Sequence, residues 1–298
     1  MNAPEKVTQY DRSTQDVGNL VHLEHYNCCI DDQRYAVLFY VVGLGATRDP
    51  YIFPGMENIW LNFGRTQVHM PSRAVPPKKE RLRGTAGFVV PSLEDLAKRL
   101  EHAGKEMKRV IGDTRQFSYT VKSDCVEATD PWGTRVRCHA PAAEFGPIDI
   151  GLAYVDFDVP ASTAEGIARF YTEVMRAPAS ASNGRAAVPV GRHQKLYFTE
   201  TQAPQPEYDG HHIQVYIGDF SGPYGWLKER GLVTMETDEA EWRFQWIVDP
   251  RDGRKLFQIE HEVRSLRHRL FARPLVNRNH AITNMNYKHG QDAFRGVS

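Results

Sequence analysis

The chain has 298 residues, 41% hydrophobic and 25% charged, with 37 Lys plus Arg balancing 37 Asp plus Glu. This is the composition of a soluble globular protein of one large domain or two ordinary ones. The zero net charge offers no global field for nucleic acid or an anionic membrane surface.

Residues 1–19 form a polar N-terminal segment without the apolar run of a signal peptide, and no later run is long enough to span a bilayer. Cys28, Cys29, Cys125 and Cys138 show no CxxC spacing, so they are expected to be structural thiols in a reducing cytoplasm. The short basic run "KKERLR" at Lys78 to Arg83 reads as a charged connector.

Four segments repeat one pattern of alternating strand, polar turn and amphipathic helix. The first starts at Leu23, "LEHYNCCIDDQRYAVLFYVVGLG", with its helix ending near Gly43 and Gly45. The second starts at Arg83, where Ser92 is the predicted N-cap and Gly104 the stop. The third starts at Gly151, "GLAYVDFDVPASTAEGIARFYTEVM". The fourth is "GHHIQVYIGDFSGPYGWLKERG" from Gly210, stopped by Gly231. Further strands follow each helix, and two of their hairpins turn on "DPWG" and "DPRDG", in which Pro presets φ and Gly accepts a positive one. These are βαβββ modules, of α+β class. The tail from Leu266 lies outside them, with enough apolar content in "FARPLVNRN" to dock on the body or on a partner subunit.

Four such modules with "DP..G" hairpins resemble the vicinal oxygen chelate superfamily, which includes glyoxalase I, extradiol dioxygenases and bleomycin- and fosfomycin-resistance proteins. The resemblance covers roughly Leu20 to Arg264. It implies two half-barrel domains, placed along the chain at residues 20–145 and 146–265, with residues 266–298 as an extension. It also implies a divalent metal in a cup, held by residues of the first strand and of a late strand in each module.

Counting back seven residues from Asp32, Ser92, Ala161 and Asp219 reaches His25, Thr85, Tyr154 and His212, the family's first-strand ligand position. Strict alternation then turns Leu23, His25 and Asn27 to the cup, and likewise His212, Gln214 and Tyr216. Tyr26, Cys28 and Ile30, with Ile213, Val215 and Ile217, turn to the helices, and His211 falls on that other face. The late-strand position is expected at His69 in the first module, at Arg137 or Cys138 in the second and at Leu196 or Tyr197 in the third. In the fourth it is Gln258 or Glu260, of which Glu260 is the stronger donor.

The resemblance therefore implies a metal set of His25, His69, His212 and Glu260, with the first module paired to the fourth as in fused glyoxalase-type members. The second and third modules would be structural, because a buried Arg137 repels a cation. Two-domain extradiol dioxygenases pair the third and fourth modules instead, and there this chain has Tyr154 in place of a His.

Imidazoles plus a carboxylate suit Fe(II), and also Zn, Mn or Ni. Tyr154, Tyr216 and His193, with His139, are the acid–base candidates. Tyr224, Trp226, Trp242 and Trp246 join Tyr216 as candidate pocket walls for a flat substrate, and Glu262 with Arg264 reads as a solvated pair.

The leading expectation is an iron-dependent extradiol-type dioxygenase acting on a catechol-like or other small aromatic substrate. The alternatives are a glyoxalase-like lyase or isomerase and a metal-free small-molecule-binding protein of the resistance type. The only partner class indicated is a small molecule, with self-association into a homo-oligomer left open.

Overall fold

The computed structural model describes residues 10–51, 57–72, 76, 78–275, 282–283 and 285–288. The four modules fold alike. Module one holds β1 (Leu20–Asn27), α1 (Gln33–Ala36, continuing as a wider π turn over Val37–Gly43), β2 (Thr47–Arg48), β3 (Asn58–Phe63) and β4 (Thr66–Pro71). Module two holds β5 (Gly84–Val89), α2 (Leu93–Val110), β6 (Ser118–Val121), β7 (Cys125–Thr129) and β8 (Arg135–His139). Module three holds β9 (Gly151–Pro160), α3 (Ala164–Arg169, continuing over Phe170–Val174), β10 (Ser180–Ser182), β11 (Arg185–Val190) and β12 (Gln194–Thr201). Module four holds β13 (His212–Ile217), α4 (Ser221–Glu229), β14 (Val233–Asp238), β15 (Glu241–Val248) and β16 (Lys255–Ser265).

These strands make two eight-stranded sheets, in the orders β14-β15-β16-β13-β1-β4-β3-β2 and β10-β11-β12-β9-β5-β8-β7-β6. Module one thus joins module four, and module two joins module three. A boundary at residues 145/146 divides the chain into sequential halves, but each sheet crosses it by an antiparallel seam, β1 with β13 and β5 with β9. The helix-facing sides of both sheets share one apolar core, bridged by Phe63 on Phe88 at 4.7 Å and Phe157 on Phe257 at 5.7 Å between ring centroids.

Local chemistry sets the element ends. Ser92 caps α2, its hydroxyl accepting from Asp95 N at 3.1 Å. Gly104 does not stop this helix, which runs on to Val110. Met107 extends the buried stripe of Leu96, Leu100 and Ala103, and Lys105 pairs with Glu101 across one turn. Continued burial outweighs the roughly 1 kcal/mol cost of an interior glycine. A side chain at residue 104 would also meet the Phe117 ring at 2.9 Å. Gly231 ends α4 as expected, at φ +65°.

In the "DPWG" hairpin the Asp130 carboxylate accepts from Trp132 N, Thr134 N and the Tyr40 hydroxyl. Burial nevertheless raises its pKa to about 6. The folded state therefore binds the proton more tightly than the unfolded chain. The stability this contributes is complete below about pH 4 and is lost as pH rises through 6. Asp130→Asn removes the titration. Relative to the variant, the wild type should lose up to about 3 kcal/mol of unfolding free energy between pH 4 and 7. Urea midpoints measured across that range check this, and parallel profiles would count against it.

Candidate metal centre in the first sheet

Strand β1 does not alternate strictly. Its register against β13 shifts twice, pairing His22 with Tyr216, Leu23 with Val215 and His25 with Gln214. The shift between Leu23 and His25 is a bulge, which sends Leu23 into the helix-side core and brings Glu24 to the cup beside His25. Leu23 thus departs from the expected alternation, and Glu24 enters a site that the sequence pattern did not assign to it. Gln194 of the other sheet holds the bulge. Its side-chain oxygen accepts from Leu23 N at 3.0 Å, and its amide nitrogen donates to Leu23 O at 2.8 Å.

The late-strand positions follow one rule in all four modules. His25 lies opposite Gln67 and His212 opposite Glu260, in parallel register. A step of two residues from these partners reaches His69 in module one and Glu262 in module four. The same step reaches Arg137 and Tyr197 in the other two modules. The acid in the cluster is therefore Glu262 where Glu260 was expected. The ligand atoms of His25, His212 and Glu262 all lie within 4.8 Å of one another, as do those of Glu24, His25 and His69. Glu260 stays at the margin, 3.7 Å from His212 Nδ1, held by Arg243 at 3.0 Å and by Gln245 at 3.1 Å.

The imidazoles are packed and buried. His25 stacks on His69 at 3.6 Å between centroids, and His69 on Trp60 at 4.0 Å. Burial lowers the pKa of His25 and takes that of His69 well down, so both rings are neutral and offer a lone pair. Their hydrogen bonds say which atom offers it. The Glu24 carboxylate accepts from His25 Nδ1 at 3.2 Å, leaving His25 Nε2 buried and without a partner. His69 Nε2 donates to Gln67 Oε1 at 2.8 Å, while Gln67 Nε2 donates to Asp49 at 2.6 Å and also to Asn62. That chain leaves His69 Nδ1 as the acceptor.

Glu262 is not a solvated partner of Arg264, because both side chains are buried. Arg264 reaches Glu262 at 2.5 Å, Glu241 at 3.0 Å and Glu24 at 3.2 Å, and Arg243 reaches Glu262 at 2.5 Å. Burial pushes the Glu262 carboxyl up, but Arg264 and the His212 hydrogen bond override it and hold the acid well below its ordinary range. Glu24 falls to about 2, its burial outweighed by the His25 hydrogen bond and Arg264.

Four carboxylates, Glu24, Glu241, Glu260 and Glu262, pair directly with two guanidiniums, Arg243 and Arg264. The surplus of two negative charges, together with the orphaned His25 Nε2, fits a divalent cation. His25, His212 and Glu262 would hold it, with His69 beside them.

A cavity of about 410 Å³ opens onto the centre, lined by residues that include Trp60, His69, His212, Glu262 and Arg264. Described residues of the C-terminal extension pack beside the cup. Phe271 packs on Tyr216 at 4.9 Å, and Tyr287 on Tyr51 at 5.4 Å. Arg273 pairs with buried Asp49, and Leu270 and Ile282 join Trp60 in an apolar cluster. Of the expected wall residues, Tyr216 alone reaches the centre, donating to Glu24 at 3.2 Å. Trp242 lies in the helix-side core, with Tyr224, Trp226 and Trp246 against it.

The other acid–base candidates lie elsewhere. Tyr154 is in the second sheet, its hydroxyl 2.9 Å from His139 Nε2. His193 lines a separate 540 Å³ cleft between the sheets, with His22 and Arg65. Among the described residues, the second cup has no histidine–carboxylate group at ligand distance. Its Arg137 is not a buried charge, being 45% exposed and paired with Glu127 at 2.8 Å. His211 stays out of the cluster, bonded to Asp209 at 2.6 Å.

This architecture is the vicinal oxygen chelate fold, four βαβββ modules in two half-barrels. No protein-family model and no curated protein matches the sequence. Solved structures do match. Glyoxalase I from Zea mays superposes with a TM-score of 0.52 at 13% identity, covering 82% of this chain and 92% of that one. A proposed dioxygenase from Bacillus subtilis gives 0.53 at 14% identity, covering 83% and 86%. At such identities the likeness establishes the fold. No helix among the described residues is long and apolar enough to cross a membrane.

Proposed function

We propose that this chain is a metal-dependent enzyme of the vicinal oxygen chelate type, an extradiol-type dioxygenase acting on a catechol-like or other small aromatic substrate. The observation that carries the reading is the buried two-histidine–one-carboxylate group His25, His212 and Glu262, with His25 Nε2 left without a protein partner. Such a face of ligands leaves open positions on Fe(II), which would supply chelation of two substrate oxygens and activation of O2.

The chain's own residues prepare the site. Glu24 fixes the His25 proton on Nδ1, and Gln67 fixes the His69 proton on Nε2, so both rings present lone pairs inward. Trp60, stacked on His69, gives a flat wall to the cavity. Burial raises the Tyr216 pKa well above its ordinary value, so its hydroxyl stays protonated and acts as a donor to Glu24. Phe271 packs on Tyr216, and Leu270 and Ile282 pack with Trp60, on that side of the cup.

A second reading is a glyoxalase-like lyase or isomerase using the same cation. The pairing of module one with module four favours it, being the arrangement of fused glyoxalase-type proteins.

Elemental analysis of protein purified without chelator, followed by oxygen uptake with catechols, tests the proposal. Stoichiometric iron and a yellow ring-opened product support it. Zinc or nickel, with isomerisation of a hemithioacetal and no oxygen consumed, would replace it with the second reading, and protein without stoichiometric metal would be a binding protein.

A further inference from the structure

Gln214 lies on β13, between β1 and β16. It pairs with His25 on β1 and with Glu262 on β16, so its side chain stands in one cross-strand row between two proposed metal ligands. It is 0% exposed, and neither Nε2 nor Oε1 has a hydrogen-bond partner in the protein. A buried donor or acceptor left unmet destabilises the fold, and here one amide carries both. An apolar side chain of the same size would avoid that cost, so the amide serves something other than the packing of the cup.

The geometry points to Gln214 as a ligand-contacting residue, whose carboxamide hydrogen-bonds the oxygens of the small molecule held at the His25–His212–Glu262 centre. This rests on the metal reading above. The amide N–H suits an ionised oxygen of that molecule, and the amide oxygen suits a neighbouring hydroxyl or N–H. The pair therefore selects a bidentate, singly ionised oxygen ligand over a dianion, which offers no proton, and over a neutral diketone, which offers neither proton nor charge.

Fixed side chains set the amide's position. Glu262 is anchored by two guanidiniums and His25 by Glu24, so the row has little freedom to close upon itself.

The test uses the full chain loaded with Co(II) and titrated with acetohydroxamate, a small bidentate chelator carrying one ionised oxygen and one N–H, followed by visible absorption. Gln214→Leu and Gln214→Met should keep one equivalent of Co(II) and a urea midpoint equal to or above that of the wild type. Both should weaken acetohydroxamate binding roughly 10-fold or more.

Unchanged hydroxamate affinity on the cobalt-loaded variants would overturn the inference while leaving the metal reading intact. Loss of cobalt from both variants would make Gln214 a holder of the metal instead. A lowered urea midpoint in both would make its amide a structural group. A wild-type chain that takes up no cobalt would refute the metal reading itself, and this inference with it.

Discussion

Glu262→Gln should lose divalent metal affinity by roughly 100-fold or more, while Glu260→Gln should keep most of it. Outer contacts to a metal site typically contribute about 10- to 100-fold, and a charged ligand contributes more than its supports do. Both acids lie on the same face of β16, two residues apart, and both touch Arg243. They differ in reach. Glu262 shares ligand distance with His25 and His212, whereas Glu260 is tied back to Arg243 and Gln245 at the rim. Competition against a metal-indicator dye measures both variants, with a urea midpoint to show that each is folded. Equal losses, or the reverse order, would return the site to Glu260.

Arg264→Met should be the most destabilising single change near the centre, by about 3–5 kcal/mol, because it strands buried charge. Its guanidinium bridges Glu24, Glu241 and Glu262, and all four side chains are 10% exposed or less. For a chain of this size the loss corresponds to a fall in melting temperature on the order of 10 °C. Saturating divalent metal should recover a larger share of stability in the variant than it adds to the wild type, since the cation neutralises the stranded carboxylates. Calorimetry with and without metal checks both parts. A variant that melts like the wild type would show that the buried network is not built around this arginine.

Much of this could be read from the sequence because the modules repeat. Four copies in register gave the first-strand positions, and the donors at His25 and His212 against Thr85 and Tyr154 pointed to the pairing that the sheets display. The failures have local physical causes. Alternation in β1 breaks at a bulge, which no residue pattern announces, so Leu23 and Glu24 exchange faces. Of Gln258 and Glu260, the sequence favours Glu260 as the stronger donor, but it lies directly opposite His212, while His69 in module one lies two residues beyond the partner of His25. One common step would have reached Glu262.

Gly104 reads as a stop by propensity but is overridden by burial of Met107 one turn on. The role of the extension was out of reach, because Arg273 finds Asp49 across more than two hundred residues of chain. Tyr154, which the register puts at a first-strand position, lies on the other sheet, and His193 lines the cleft between the sheets.

The central claim is a single divalent cation in the cup shared by modules one and four. Anomalous diffraction from a crystal of chelator-free protein tests it most directly. The expected map has one metal peak per chain, within coordination distance of His25 Nε2, His212 and Glu262. A peak in the second cup beside His139 and Tyr154, or no peak in a metal-supplemented crystal, would contradict it.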